Sequence, residues 1–282
     1  MRNERETCLP LVKWAGGKRQ LLPEIRGLVP ETFRRYYEPF LGGGAVFFDL
    51  LPADAVLNDS NEQLVNLYRR VAEDVSGFRA EADALSDGYN RATDGSARDE
   101  VYYSARKRFN ELKAGGIETN ESAALFLFLN KVAFNGVYRE NAKGEFNVPS
   151  SHKKRVVLYD PDNLEAVSNA LSGVVMKTGD FEKACEGVEA DDFVFFDSPY
   201  YETFDSYRAG GFSEDDHRRL ARLFRNLSER GAKIVLTNSD SDFIRGLYSD
   251  FSIRTVDVKR MINRNASGRT GREIVVSNFD PT

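Results

Sequence analysis

The 282-residue chain predicts an α/β fold: a seven-stranded, mostly parallel sheet with a mainly helical segment inserted after the second strand. Three observations predict it. Phe193-Val194-Phe195-Phe196 is apolar without alternation, the pattern of a strand covered on both faces, and it stops at Asp197-Ser198-Pro199-Tyr200. Tyr36 to Phe40, then Gly42-Gly43-Gly44, then apolar Ala45 to Phe48, reads as strand, glycine loop and helix. From 61 to 159 helical periodicity replaces the strand-helix alternation, which resumes after about 160.

Composition narrows the function classes. The chain is 41% hydrophobic and 29% charged, ordinary for one large or two smaller globular domains. A net charge of -5 does not announce a nucleic-acid binder, so such a reading needs local basic patches. Cys8 and Cys185 lie far apart and read as buried thiols, while His152 and His217 are isolated. No metal site is therefore expected. Met1 to Thr7 is charged, and no apolar run is long enough for a span, so no membrane contact and a cytoplasmic location are expected.

Taken in order, Leu11 to Lys18 turns at Gly16-Gly17 ahead of a helix starting near Lys18, which is placed to hold a ligand carboxylate. Trp14 alone reads as a core anchor. After the glycine loop, Ala55 to Asp59 is a strand ending in an acid, where ribose hydroxyls are bound in such units. A dinucleotide fingerprint would need glycine at 47, and the chain has Phe47. Asn61 to Ala84 reads as one helix, Asp83 to Ala97 as a loop, and Asp99 to Leu112 and Glu121 to Lys131 as two more helices. Asn135-Gly136 and Lys143-Gly144 punctuate a hairpin. Residues 131–155 carry six Lys or Arg against two Glu, which suits phosphate contact or an ordinary solvated surface.

Asp162 to Leu171 reads as a helix and Val174 to Lys177 as a strand, and Asp180 then caps a short helix or meets a ligand. Tyr201 to Gly211 is an aromatic loop able to close over a site. Ser213 caps a helix to Arg230; Lys233 to Thr237, Ile253 to Val258 and Ile274 to Asn278 are strands. The connector 259–272 has five positive charges and no acid, and reads as a DNA clamp or a solvated loop.

Four motifs in this order resemble those of the Dam-like adenine methyltransferases, within the amino-methyltransferases of nucleic acids. They are Lys13-Trp14-Ala15-Gly16-Gly17-Lys18, Glu38-Pro39-Phe40 with Gly42 and Gly44, the segment Leu129 to Pro149, and Asp197-Ser198-Pro199-Tyr200, where the family has Asp-Pro-Pro-Tyr. The resemblance covers nearly the whole chain. It implies a Rossmann-like methyltransferase sheet and methyl transfer from S-adenosylmethionine to the 6-amino group of adenine in duplex DNA, within GATC. It further implies a cofactor site of Trp14, Ala15, Gly16, Lys18, Phe40, Gly42, Gly44, Asp59, Asp180, Phe181 and Asp197. The catalytic set would be Asp197, Ser198, Pro199 and Tyr200, with Asp197 and the carbonyl of 198 accepting the amine hydrogens and Tyr200 stacking on a flipped base. Phe134 would enter the duplex, Asn135 help read the site and Arg139 read a guanine, while Lys13, Lys153 and Arg264 touch DNA.

Residues 1–60 and 160–282 would form the catalytic domain and 61–159 the recognition domain. A monomer with a possible restriction endonuclease counterpart is expected. Ser198 departs from the family pattern; it keeps the carbonyl but not the proline ring, and its hydroxyl needs a partner. Restoring proline is expected to speed transfer. Two other readings stay open: a relative acting on a cytosine amine or a protein glutamine, and a DNA-binding module whose turnover is impaired by Ser198.

Overall fold

The computed structural model describes residues 8–201, 211–259 and 270–280. The described chain contains seven strands in one sheet, in the order β3-β2-β1-β4-β5-β7-β6. They are β1 Tyr36–Glu38, β2 Ala55–Asp59, β3 Val175–Thr178, β4 Phe193–Phe196, β5 Lys233–Ser239, β6 Ser252–Lys259 and β7 Thr270–Ser277. Among them β1 pairs in parallel with β2 and β4, and β4 with β5; β7 runs antiparallel between β5 and β6. This is the mostly parallel sheet with a terminal hairpin that the apolar runs predict. The order doubles back beside β1, with β2 on one side and β4 on the other. Ligands of open α/β sheets bind at such a switch point, outside the strands' carboxyl ends.

Ten α-helices are described: α1 Leu22–Arg26, α2 Ala45–Leu50, α3 Glu62–Glu73, α4 Val75–Arg91, α5 Gly95–Ala114, α6 Asn120–Val132, α7 Pro161–Leu171, α8 Phe181–Ala184, α9 Glu214–Glu229 and α10 Asp242–Leu247. The contacts divide the chain into two compact units. Among the described residues, one holds those up to 17, 42–51 and 61–178; the other holds 18–41, 52–60 and those from 179 onward.

In the first unit α6 is buried almost all round, so its apolar run needs no polar face. It packs against α3, α4 and α5, and a buried bond from Asn66 to Ser122 (2.9 Å) joins α3 to α6. In the second unit one side of the sheet packs Val194, Phe196, Ile234, Leu236, Ile274 and Val276 against Leu220, Phe224 and Leu227 of α9. Ser213 and Asp216 form the reciprocal cap that starts α9, as the Ser-Glu-Asp-Asp run predicts.

Several boundaries differ from the sequence reading. The helix expected over 61–84 breaks at Asp74, whose side chain accepts from Gly77 N–H and from Asn120, and so starts a second helix. That helix, α4, runs through the expected loop at 83–97 as far as Arg91. Its polar composition hides a stripe of Phe78, Ala82 and Tyr89, all fully buried. Tyr89 and Asn90 also bond the backbone at Lys153 and Val156. β1 stops at Glu38, because Pro39 has no N–H to extend a ladder. The helix expected near Lys18 is a 3-10 turn over Lys18–Gln20 before α1, and α10 has no counterpart in the sequence reading.

Candidate active site

β4 delivers Asp197 to the end of the sheet. Its Oδ1 receives Lys18 Nζ at 2.7 Å and Thr237 Oγ1 at 2.9 Å. Lys18 is 6% exposed and Asp197 19%. The same Lys18 cation lies 4.6 Å from the centre of the Tyr200 ring, so carboxylate, ammonium and aromatic face form one stack. Burial pushes the Asp197 carboxyl above its ordinary value, against the Lys18 charge and the hydrogen bonds from Lys18 and Thr237. Tyr200 donates to Glu273 Oε2 of β7 (2.8 Å), and burial, then the charges of Asp197 and Glu273, raise its hydroxyl well above the usual range.

Ser198 is 2% exposed, and its hydroxyl oxygen accepts from Asn238 Nδ2 at 3.1 Å. Asn238 Oδ1 in turn accepts from the N–H of Tyr201 (3.1 Å), and Ser239 donates to the Tyr201 carbonyl (3.0 Å). The three polar residues that end β5 thus grip Asp197, Ser198 and Tyr201. Sequence reasoning missed Lys18 as an Asp197 partner, together with Thr237, Asn238 and Glu273. The signal present was a polar Thr-Asn-Ser run closing a buried strand.

Around the ends of β1 and β2, Asn58 donates to the carbonyls of Pro39 (2.9 Å) and Gly179 (3.1 Å). Gly179 N–H donates to Asp59 O (3.0 Å), and Phe40 packs on Phe181 with centroids 5.3 Å apart. Asp59, Phe40 and Phe181 are thereby gathered beyond the strand ends. Asp180 caps α8 through Glu182 N–H and binds Arg219 (2.8 Å), so the cap reading describes its contacts. Burial pushes its carboxyl up, but Arg219 and the capped N–H hold it below the ordinary value.

In the helical unit, Trp14 stacks on Tyr138 (5.9 Å) and packs on Phe126 (6.2 Å). Gly42 has φ +49°, and a Cβ there would meet Trp14 Cδ1 at 3.0 Å, so a side chain would be strained and would crowd the indole. Gly44 also has positive φ. Buried Asn130 accepts from Lys13 N–H (2.9 Å) and donates to the carbonyls of Lys13 (2.8 Å) and Gly136 (3.1 Å). It ties the segment carrying Lys13, Trp14, Ala15 and Gly16 to the turn carrying Phe134 and Asn135. Phe134 is 56% exposed, and Asn135 takes a left-handed φ of 56°. Arg139 lies on a short hairpin, with Nε donating to Asn147 Oδ1 (2.8 Å).

Lys153 donates to the Lys131 carbonyl. Burial, then the charges of Lys13 and Lys153, lowers the Lys131 ammonium; burial, then Lys13, lowers Lys153. Lys13, Lys131 and Lys153 are thus one positive cluster. Arg264, most of the aromatic loop after Tyr201 and most of the basic connector lie outside the described residues. Among the described residues there is no cluster of His, Cys, Asp and Glu able to hold a metal, and no helix long and apolar enough to cross a membrane.

A mostly parallel sheet with glycine turns ahead of a carboxylate-aromatic motif at its strand ends is a nucleotide-binding α/β architecture. Comparison with known proteins makes the class specific. The profile of the D12 class N6 adenine-specific DNA methyltransferases matches residues 14–262, and the chain belongs to that family of enzymes. It is 40% identical to the type II methyltransferase M.MjaIII of Methanocaldococcus jannaschii, over 96% of this chain and 99% of that one. Identity to the type II methyltransferase M1.LlaDCHI of Lactococcus lactis subsp. cremoris is 37%, over 96% and 95%. A DNA adenine methylase of Haemophilus influenzae is 31% identical, over 96% and 93%. Methyltransferases of this kind generally use S-adenosylmethionine, and the family acts on DNA.

Proposed function

We propose that this enzyme transfers a methyl group from S-adenosylmethionine to the 6-amino group of an adenine flipped out of duplex DNA, within GATC. One observation carries the assignment of the reacting pocket. The Lys18 amine rests on the Asp197 carboxylate and against the Tyr200 ring face. A place that holds an N–H donor between a carboxylate and an aromatic face suits the exocyclic amine of a stacked base. Lys18 withdraws when the base enters. Both described contacts to Asp197 fall on Oδ1, which leaves Oδ2 acceptor capacity for the amine.

The amine of adenine is a weak nucleophile because its lone pair is delocalised into the ring. Asp197 and the carbonyl of Ser198 accept its hydrogens and favour a tetrahedral nitrogen with a free lone pair. Tyr200 holds the base plane. S-adenosylmethionine would supply the methyl from its sulfonium: the C–S bond breaks as the N–C bond forms, a neutral thioether leaves, and the methylated nitrogen gives up its extra proton to the Asp197 carboxylate that accepts it. Holding the amine in line with that C–S bond contributes much of the rate. Asp59 suits the ribose hydroxyls, and Phe40 with Phe181 suits an adenine ring. Lys18 would meet the methionine carboxylate once it has left Asp197, and Trp14, Ala15, Gly16, Gly42 and Gly44 are the further cofactor residues that the family resemblance implies.

For the DNA, the positive cluster of Lys13, Lys131 and Lys153 draws phosphates beside exposed Phe134, the side chain that enters the duplex. Arg139 reads a guanine. Residues 61–159 act as the recognition domain and the remainder as the catalytic domain, in a cytoplasmic monomer. The type II names of two relatives suggest a restriction endonuclease counterpart. The test is digestion of duplex DNA after incubation with labelled S-adenosylmethionine. Label in 6-methyladenine from GATC duplexes is expected; label in a cytosine or in protein, or equal labelling of duplexes with one GATC base changed, would refute the respective part.

A further inference from the structure

The position that departs from Asp-Pro-Pro-Tyr is held by a residue outside the motif. Two of the torsions that aim the carbonyl of residue 198 are already restricted by Pro199. Its ring fixes its own φ, and it confines the preceding residue to extended ψ. The torsion left soft is φ at Ser198, which a proline at that place would have locked. Ser198 is 2% exposed, so it is not free to turn toward water, and its Oγ is taken by Asn238 Nδ2 at 3.1 Å. Asn238 is 1% exposed and closes the other end of the same turn through Tyr201 N–H. Its own amide is oriented by Ser239 N–H, which donates to Oδ1 at 2.8 Å. One buried amide therefore spans the turn from 198 to 201, and adjacent Thr237 holds Asp197 from the same strand.

We propose that Asn238 is a positioning residue of the methyl-transfer site: through the Ser198 hydroxyl it pins residue 198 and aims its carbonyl, in place of the proline ring. The proposal rests on the reading of 197–200 as the amine-accepting motif. It reverses the expectation that proline at 198 speeds the enzyme. Ser198→Pro removes the acceptor of a buried Asn238 donor and adds a ring where the side chain is enclosed, so serine and asparagine form a matched pair.

The test measures single-turnover methylation of mixed-sequence plasmid DNA, cofactor affinity by calorimetry and thermal melting. The proteins are the parent, Ser198→Ala, Ser198→Thr, Asn238→Ala and the double alanine variant. Ser198→Ala should slow transfer about 10-fold, the effect of one lost hydrogen bond to a buried partner, with cofactor affinity unchanged. Ser198→Thr, which keeps the hydroxyl, should retain most of the rate. The double variant should be no slower than Asn238→Ala, because both remove the same bond. Ser198→Ala transferring at the parental rate would overturn the proposal even if Asn238→Ala unfolds. A parent that makes 6-methyladenine while Ser198→Ala matches it removes this inference alone; a parent that makes none removes the underlying reading as well.

Discussion

Replacing Lys18 with methionine tests what charges the active-site carboxylate. The substitution keeps the length of the side chain and removes the ammonium 2.7 Å from Asp197. Removing one partner of a buried ion pair costs about 3–5 kcal/mol, and the partial exposure of Asp197 argues for the lower end. Without that ammonium the Asp197 carboxyl is pushed further up, because the charge that opposed its desolvation is gone. The carboxyl already stands above its ordinary value, raised by burial against the Lys18 and Thr237 contributions. A raised acid favours the fold below the ordinary carboxylate range and loses that contribution as pH rises through the folded pKa. The stability lost by Lys18→Met should therefore be small in acid and grow toward neutral pH.

The activity should change in step. The pH dependence of kcat/KM reports groups of the free enzyme. Its acid limb, where Asp197 gains a proton and ceases to accept, should move to higher pH in Lys18→Met. Adding Asp197→Asn should recover the melting temperature and abolish turnover. An acid limb that stays in place, or stability loss that is uniform in pH, would refute the claim that Lys18 sets the charge of Asp197.

Asp59→Ala should weaken S-adenosylmethionine binding by roughly 1–3 kcal/mol in calorimetry, the cost of unpaired ribose hydroxyls. Arg139→Ala should raise methylation of duplexes with one base of GATC changed, relative to GATC itself, because a bidentate guanine contact is worth roughly 1–3 kcal/mol of discrimination; an equal fall on all duplexes would mean a phosphate contact. Phe134→Ala should leave urea stability within about 0.5 kcal/mol, since the ring is mostly exposed, yet depress methylation of paired adenine more than of mismatched adenine.

Local patterns along the chain were enough to read the sheet and the order of its motifs. Apolar runs at 193–196 and 55–57, glycines before α2 and the Ser-Glu-Asp-Asp cap of α9 are local signals, and local sterics and hydrogen bonding decide them. They also determined that Asp197 ends a buried strand, since the run stops at a carboxylate. Composition misled at 83–97, because three buried residues of α4 outweigh many polar ones once α6 covers them. Pairings across long stretches of chain came from packing alone. Lys18 reaches Asp197 across 179 residues of sequence, and Asn238 reaches Ser198 across 40. Asn130 reaches Lys13 across 117. Such a bond leaves no period in the sequence; it exists because burial forces each polar group to find whichever partner the packing brings to it.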